Sequence, residues 1–356
     1  MSWPKNDAKG SPDSKAIILA RCYHSDPMLT PLPRVIVEPD DGIQPVVEFI
    51  ESARTALLVK QFTLTEESII AAIIDRQNAG VDVRVMLNPA RSGGDRANDE
   101  SYEIFEKAGV KVQWSNPNFY VTHEKSIVVD GTAALVATFN LHPKYFTLTR
   151  DYGIIIDNPQ QVAQIVEVFE ADWEHREWTC STYEGLLWSN SNSRYHMAHF
   201  IDTAKVRLDI QHPKYVDAVI LDHIAAAADR GVKVHVLCGG KHGISEWDIL
   251  DTFASLRTLR RFGVKVHKQK NLRVHAKLLI ADDMHALVGS MNIDRSAFDM
   301  RRELGLTVTN RSVVARLKET FEFDWELSHH YEPPDPLHPA EHQEDDFPHD
   351  EDLVHE

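Results

Sequence analysis

The chain has 356 residues, 43% hydrophobic and 26% charged, with a formal net charge of −16. That balance excludes a disordered or fibrous chain and suits two domains of average size, each burying its own core. The acidity argues against a polyanionic partner, but it is unevenly placed: Glu332 to Glu356 hold ten carboxylates and no Lys or Arg, and without them the net charge is about −6.

Residues 1–33 read as an N-terminal extension. Its apolar run, Ala16 to Ala20, is shorter than a signal peptide needs, and no stretch approaches the ~20 apolar residues that span a bilayer. Cys22, Cys180 and Cys238 are scattered, so neither a disulfide framework nor a zinc pattern is expected. A soluble, cytoplasmic protein is the expectation.

From Ile50 the chain reads IESARTALLV, then ESIIAAIIDRQNAG, an amphipathic helix pattern, then the β-branched run VDVRVML. GVKVQ begins at Gly109. SIVVD and ALVATFN look like buried strands joined at Asp130-Gly131, a hairpin signal, and VFEADWEHR from Val168 closes the series as a helix. The same order then repeats. IESARTALLV and AGVDVRVML return 151 residues later as IDTAKVRLDI and RGVKVHVLC. GVKVQ returns after 154 residues as GVKVH, and VFEADWEHR after 152 as TFEFDWELS. The chain is therefore an internal duplication of two α/β domains, 34–180 and 181–331, each with a mixed sheet flanked by helices. An acidic tail, 332–356, is expected to be disordered, and its His338, His342, His349 and His355 lack metal-ligand spacing.

Two constellations recur at a constant offset of 152 residues: His123, Lys125, Asp130, Asn140 and Asp151, then His275, Lys277, Asp282, Asn292 and Glu303. One His-x-Lys-x4-Asp is a weak signal, and a lone histidine is more often a satisfied core residue. Two copies in register, each followed by an Asn and an acid at equal spacing, are strong. In an extended strand residues i and i+2 share a face, so each His stands beside its Lys. Two facing repeats would converge two His, two Lys and two Asn, a donor-rich cationic pocket suited to a phosphate. One neutral imidazole can attack phosphorus while the other, protonated, serves the leaving oxygen. Water or an alcohol then displaces the phosphohistidine. Lys and Asn carry the electrostatics, so no metal and no cofactor is expected. Asp130 and Asp282, just before turns, are expected to hold local geometry. Asp151 and Glu303 are expected to orient a histidine through Nδ1.

These residues resemble the phospholipase D superfamily, marked by HxKxxxxD followed by GSxN. The second copy is full, with Gly289, Ser290 and Asn292, and its continuation through Asp294, Arg295, Ser296, Phe298 and Glu303 is similar to bacterial cardiolipin synthases. The first departs at Ala137 and Thr138: Thr138 keeps a hydroxyl, and Ala137 adds a Cβ where backbone can pass close to substrate. The resemblance spans about residues 34 to 328. It implies a pseudo-twofold phospholipase D fold with the site at the interface of the repeats. It also implies that His123 is the nucleophile, His275 the general acid, each acid the support of the opposite motif's His, and Ser290 and Thr138 secondary donors. Both motifs lie in one chain, so a monomer suffices.

For substrate, phospholipid at a membrane surface ranks first, reached peripherally through candidate contacts Trp3, Trp188 and Phe200. Nucleic acid ranks second, on the strength of the acid-free stretch Arg257 to Lys277, which holds eight Lys or Arg. The acidic tail could fold over that stretch. A non-catalytic phosphate-binding module is the third reading; the intact His and Lys pairs speak against it.

Overall fold

The computed structural model describes residues 34–335, apart from 91–93, 242, 243 and 245. The extension 1–33, including Trp3 and Cys22, and the tail beyond 335 lie outside the described residues. Equivalent runs in the two repeats build two mixed sheets. The first repeat supplies β1 (Val35–Glu38), β2 (Ala56–Gln61), β3 (Asp82–Leu87), β4 (Lys111–Trp114), β5 (Ser126–Val129), β6 (Ala133–Ala137) and β7 (Thr149–Ile156), ordered β1-β7-β6-β5-β2-β3-β4. The second supplies β8 (Leu186–Trp188), β9 (Arg207–Gln211), β10 (Lys233–Cys238), β11 (Lys265–Lys268), β12 (Arg273–Val274), β13 (Leu278–Ala281), β14 (His285–Gly289), β15 (Leu304–Val308) and β16 (His329–His330). Their order is β16-β11-β10-β9-β13-β14-β15-β8, except that β12 leaves its own sheet and pairs with β7. In each sheet three strands are parallel and the hairpin strands antiparallel.

The helices are α1 (Gln44–Glu51), α2 (Glu67–Asn78), α3 (Asp99–Lys107), α4 (Pro159–Trp173), α5 (Ser193–Thr203), α6 (Ala218–Asp229), α7 (Glu246–Arg261), α8 (Arg295–Asp299) and α9 (Arg311–Leu327). The long closing helices start alike: Asn158 and Asn310 each cap two backbone N–H groups, leaving the first turn satisfied. At the hairpins, Asp130 and Gly131 have φ of 53° and 64°, and Asp282 and Asp283 of 52° and 57°, the left-handed central pair of a β-turn closed by Thr132 N–H on the Val129 carbonyl and by Met284 N–H on the Ala281 carbonyl.

Three apolar clusters hold the fold. Two lie within single repeats, where α1, α2 and α3 cover the first sheet and α5, α6 and α7 the second. The third is shared: Val136, Ile154, Val288 and Leu306 from both sheets pack with Val168 and Phe169 of α4 and Leu317 and Phe321 of α9. The repeats are thus joined by continuous core, and burial on this scale stabilises by roughly 25 cal/mol per Å² of apolar surface. Two sequence expectations change here. Trp188 and Phe200 are buried and cannot touch a membrane. Ala137 is buried in the core of the first repeat and pairs with Gly153, so its Cβ faces packing rather than substrate. The equivalent Gly289 has no such room, because a Cβ there would lie 2.5 Å from the Gly305 Cα.

Glu38, on β1 opposite Asp151 of β7, is fully buried, with the Gly42 backbone N–H near its carboxyl and no side chain bonded to it among the described residues. Burial, then the Asp151 and Asp41 carboxylates, push it up to about 9. The native chain therefore keeps a proton that the unfolded chain releases near pH 4.3, and stability falls as pH rises between the two values. Glu38→Gln is expected to match the wild type in urea unfolding at pH 5 and to be more stable at pH 8, by on the order of 1–3 kcal/mol. Equal differences at both pH values would contradict a neutral Glu38.

Candidate active site

Each His-x-Lys segment is held by the opposite repeat before its own strand begins. The His123 and Glu124 N–H groups donate to the Arg302 carbonyl at 2.9 Å. The His275 and Ala276 N–H groups donate to the Arg150 carbonyl at 3.3 and 2.9 Å. His-x-Lys is therefore not part of the hairpin strand expected from the sequence. β5 and β13 start just after the lysines, at Ser126 and Leu278, because the preceding backbone bonds have gone across the repeat boundary.

This exchange sets each histidine against the acid that follows the borrowed carbonyl. His123 Nδ1 lies 2.9 and 3.0 Å from the Glu303 carboxylate oxygens and 3.1 Å from the Ser290 carbonyl. A carbonyl only accepts, so Nδ1 carries the hydrogen and the lone pair is at Nε2. His275 Nδ1 lies 2.6 Å from Asp151, and its Nε2 lies 2.8 Å from the Lys277 ammonium, which again places the lone pair at Nε2. Lys125 instead donates to the His123 carbonyl at 2.6 Å and sits over the Phe62 ring. Phe62 packs edge-on against His123, and Tyr145 packs against His275.

All four groups are buried. Burial, then Lys125 and Lys277, hold His123 well below its usual value. Burial, with Lys277 opposing the favourable Asp151, pulls His275 down to about 3. The acids diverge. Burial pushes Glu303 up to about 7 against the pull of Lys125 and Arg301. Burial also works to raise Asp151, but the contact with His275, with help from Lys277 and the Thr138 hydroxyl, outweighs it and leaves Asp151 below the usual range. The resting pocket thus holds two neutral imidazoles, two lysines and the ionised Asp151, and burial, then Lys125, hold Lys277 well below its usual value.

The remaining sequence candidates fall into different places. Asp130 accepts from the N–H groups of Arg54, Thr55 and Ala56, and Asp282 from Lys205, Val206 and Arg207. Both pin the hairpin end of the motif strand to the neighbouring strand, outside the histidine–acid cluster. Thr138 and Ser290, expected as phosphate donors, are committed elsewhere: Thr138 donates to Asp151 at 2.5 Å, and Ser290 exchanges bonds with the Leu304 backbone. Asn140 and Asn292 are buried, three residues past β6 and β14 rather than at their ends.

Sequence reasoning passed over the layer behind the site. Arg302 donates to Asp172 of α4 at 2.8 Å, and Arg150 donates to Asp324 of α9 at 2.8 and 3.0 Å. Lys60 bridges Glu124 and Asp172, while Gln211 reaches Asp324. The signal was present: Arg150 and Arg302, like Asp172 and Asp324, are 152 residues apart, and the aspartates are the Asp of the repeated FExDW.

Residues 46–173 and 197–325 each match the family described as cardiolipin synthase, PLD-like domain. The chain belongs to that family. Among curated members, cardiolipin synthase 2 of Staphylococcus epidermidis is 28% identical over 235 residues, covering 58% of this chain and 48% of the relative. Cardiolipin synthase of Staphylococcus aureus is 24% identical over 331 residues, covering 81% and 65%. The chain thus spans between about half and two thirds of the length of these relatives. In fold it is similar to phosphatidylserine synthase from Haemophilus influenzae, with TM-score 0.68, 14% identity, and 84% and 88% of the two chains covered. It is also similar to polyphosphate kinase from Porphyromonas gingivalis, with TM-score 0.67, 14% identity, and 86% and 51% covered.

Removing Asp172 would leave Lys60 and Arg302 buried with less compensation. Asp172→Ala is expected to cost on the order of 3–5 kcal/mol in urea unfolding. A loss under 1 kcal/mol would show that the layer behind the site is not what braces it.

Proposed function

We propose that this chain is a phosphodiesterase or phosphatidyltransferase that acts on phospholipids through a covalent phosphohistidine, without a metal. The observation that carries the reading is the pair of buried histidines, each with Nδ1 on a carboxylate of the opposite repeat and a lysine beside it. Burial keeps His123 neutral with its lone pair at Nε2, the form that can attack phosphorus. Glu303 then stabilises the charge that the ring acquires. A substrate phosphate would draw the Lys277 ammonium away from His275 Nε2 and place an anion beside the ring. Both changes favour the protonated imidazole that serves as general acid to the leaving oxygen. Water or an alcohol, deprotonated by the same His275, would release the product. Lys125, Lys277, Asn140 and Asn292 would hold the non-bridging oxygens, giving the charge stabilisation that a metal supplies in other phosphoryl-transfer sites.

Lipid is favoured by what surrounds the pocket. Tyr120, Leu148 and Met300 are 58%, 43% and 51% exposed. Each stands three residues before a site residue, His123, Asp151 and Glu303, within about 10 Å of chain. Tyr120 N–H donates to the Met300 carbonyl, so two of them are neighbours across the repeats. Apolar side chains at this edge suit an acyl surface. No helix among the described residues is long and apolar enough to cross a membrane, so contact would be peripheral. The stretch Arg257 to Lys277, the support for a nucleic-acid substrate, is not a continuous exposed stripe. Arg257 bonds the Pro334 carbonyl, Arg260 pairs with Glu332 at 2.8 Å, and Lys268 and Lys277 are buried.

With EDTA present, the wild type is expected to release phosphatidic acid or form cardiolipin from phosphatidylglycerol vesicles. His123→Ala should lose roughly 10³-fold or more of that rate. Cleavage of single- or double-stranded DNA without lipid turnover would overturn the substrate and leave the two-histidine chemistry standing.

A further inference from the structure

On the His123 side the two halves of the site differ by one cation. Arg301 occupies the position held in the first repeat by Thr149, 152 residues earlier. Thr149 donates to Asp151 at 2.6 Å, so an uncharged hydroxyl stands there and is spent on the acid. In the second half, Arg301 stands two residues before Glu303, in the bend that leads into β15. Its charge bears on His123, Glu303 and Asp294. Arg301 is 7% exposed, its Nε has no hydrogen-bond partner, and its guanidinium forms no ion pair among the described residues.

The neighbouring buried cations are placed differently. Arg302 is fixed on Asp172, Arg150 on Asp324, and Lys214 lies between Asp248 and Asp294 at 2.7 and 3.0 Å. A guanidinium left buried without a partner is costly, and its five donors match a phosphate. A phosphodiester carries one negative charge, which Lys125 and Lys277 already face from both repeats. Arg301 adds a third basic group to that pair, and burial, then Lys125, hold Lys277 well below its usual value.

We propose that Arg301 is a specificity-determining residue that binds a second phosphate of the substrate, on the His123 side of the scissile phosphodiester. It rests on the reading of the pocket as a phosphodiester site. The site then takes a bis-anionic phosphodiester, from a headgroup or backbone bearing another phosphate, in preference to a diester of single charge. Arg301 does not act on the reacting atoms. Its contribution lies in KM for the doubly charged substrate, and kcat is set by the histidines.

Two non-reacting probes separate the positions: inorganic phosphate, which fills one, and methylenediphosphonate, which spans two. Titration calorimetry on the full chain reads binding whether or not any ester is turned over. The wild type is expected to bind the diphosphonate about tenfold more tightly than phosphate, a modest share for a charge-assisted bond. Arg301→Gln should reduce that ratio to about twofold while leaving the phosphate Kd within about twofold, and Arg301→Lys should fall between. An unchanged ratio in Arg301→Gln would overturn the proposal. So would equal weakening of both ligands, which would place Arg301 on the scissile phosphate. If the wild type binds no phosphate at all, the phosphodiester reading itself falls, and this proposal with it. Thermal unfolding of each variant checks that the fold is retained.

Discussion

Everything at the site depends on a backbone exchange. Each repeat gives the carbonyl of the arginine before its acid, Arg150 or Arg302, to two N–H groups of the other repeat's His-x-Lys segment. Because the acid is the next residue, the same contact that anchors the histidine backbone brings a carboxylate to its Nδ1. Neither repeat contains a complete histidine–acid pair. The shared apolar core and the two FExDW helices make the exchange rigid, since Asp172 and Asp324 clamp the arginine side chains whose carbonyls are given away. A histidine held in this way keeps its tautomer and its aim, which is what the proposed attack on phosphorus demands.

The repeats also show how buried charge is balanced. Glu124 and Lys60 form an ion pair behind His123, with Asp172 as a second partner. At the equivalent positions of the second repeat stand Ala276 and Gln211. The carboxylate and the cation are lost together, and Gln211 meets Asp324 with a neutral amide instead. Losing one alone would leave an uncompensated charge in the interior, which is the costly case. The unequal acids follow the same logic. Asp151 is fed by two threonine hydroxyls and stays ionised, whereas Glu303 has fewer donors and is pushed up by burial.

Much of this was legible in the chain. The offset of 152 residues set the two site constellations, Asp130-Gly131 marked a hairpin turn, and the β-branched runs marked strands. What stayed hidden is non-local. Periodicity places His123 and Lys125 on one face of a strand, but it cannot show that their backbone bonds go to another repeat. Thr138 and Ser290 carry the right hydroxyls, yet only packing shows that Asp151 and the Leu304 backbone already hold them. Trp188 and Phe200 looked available because side-chain type alone does not reveal burial, while the exposed Tyr120 and Met300 carried no sequence mark.

The central claim is that the two histidine–acid pairs are crossed between repeats. It is tested most directly by 15N NMR of histidine-labelled protein, in which Nδ1 and Nε2 shifts report each ring's tautomer and hydrogen bond. Glu303→Gln is expected to move the His123 signals and leave those of His275 in place, and Asp151→Asn to do the reverse. Signals of His123 that follow Asp151, or that ignore both substitutions, would contradict the crossed arrangement.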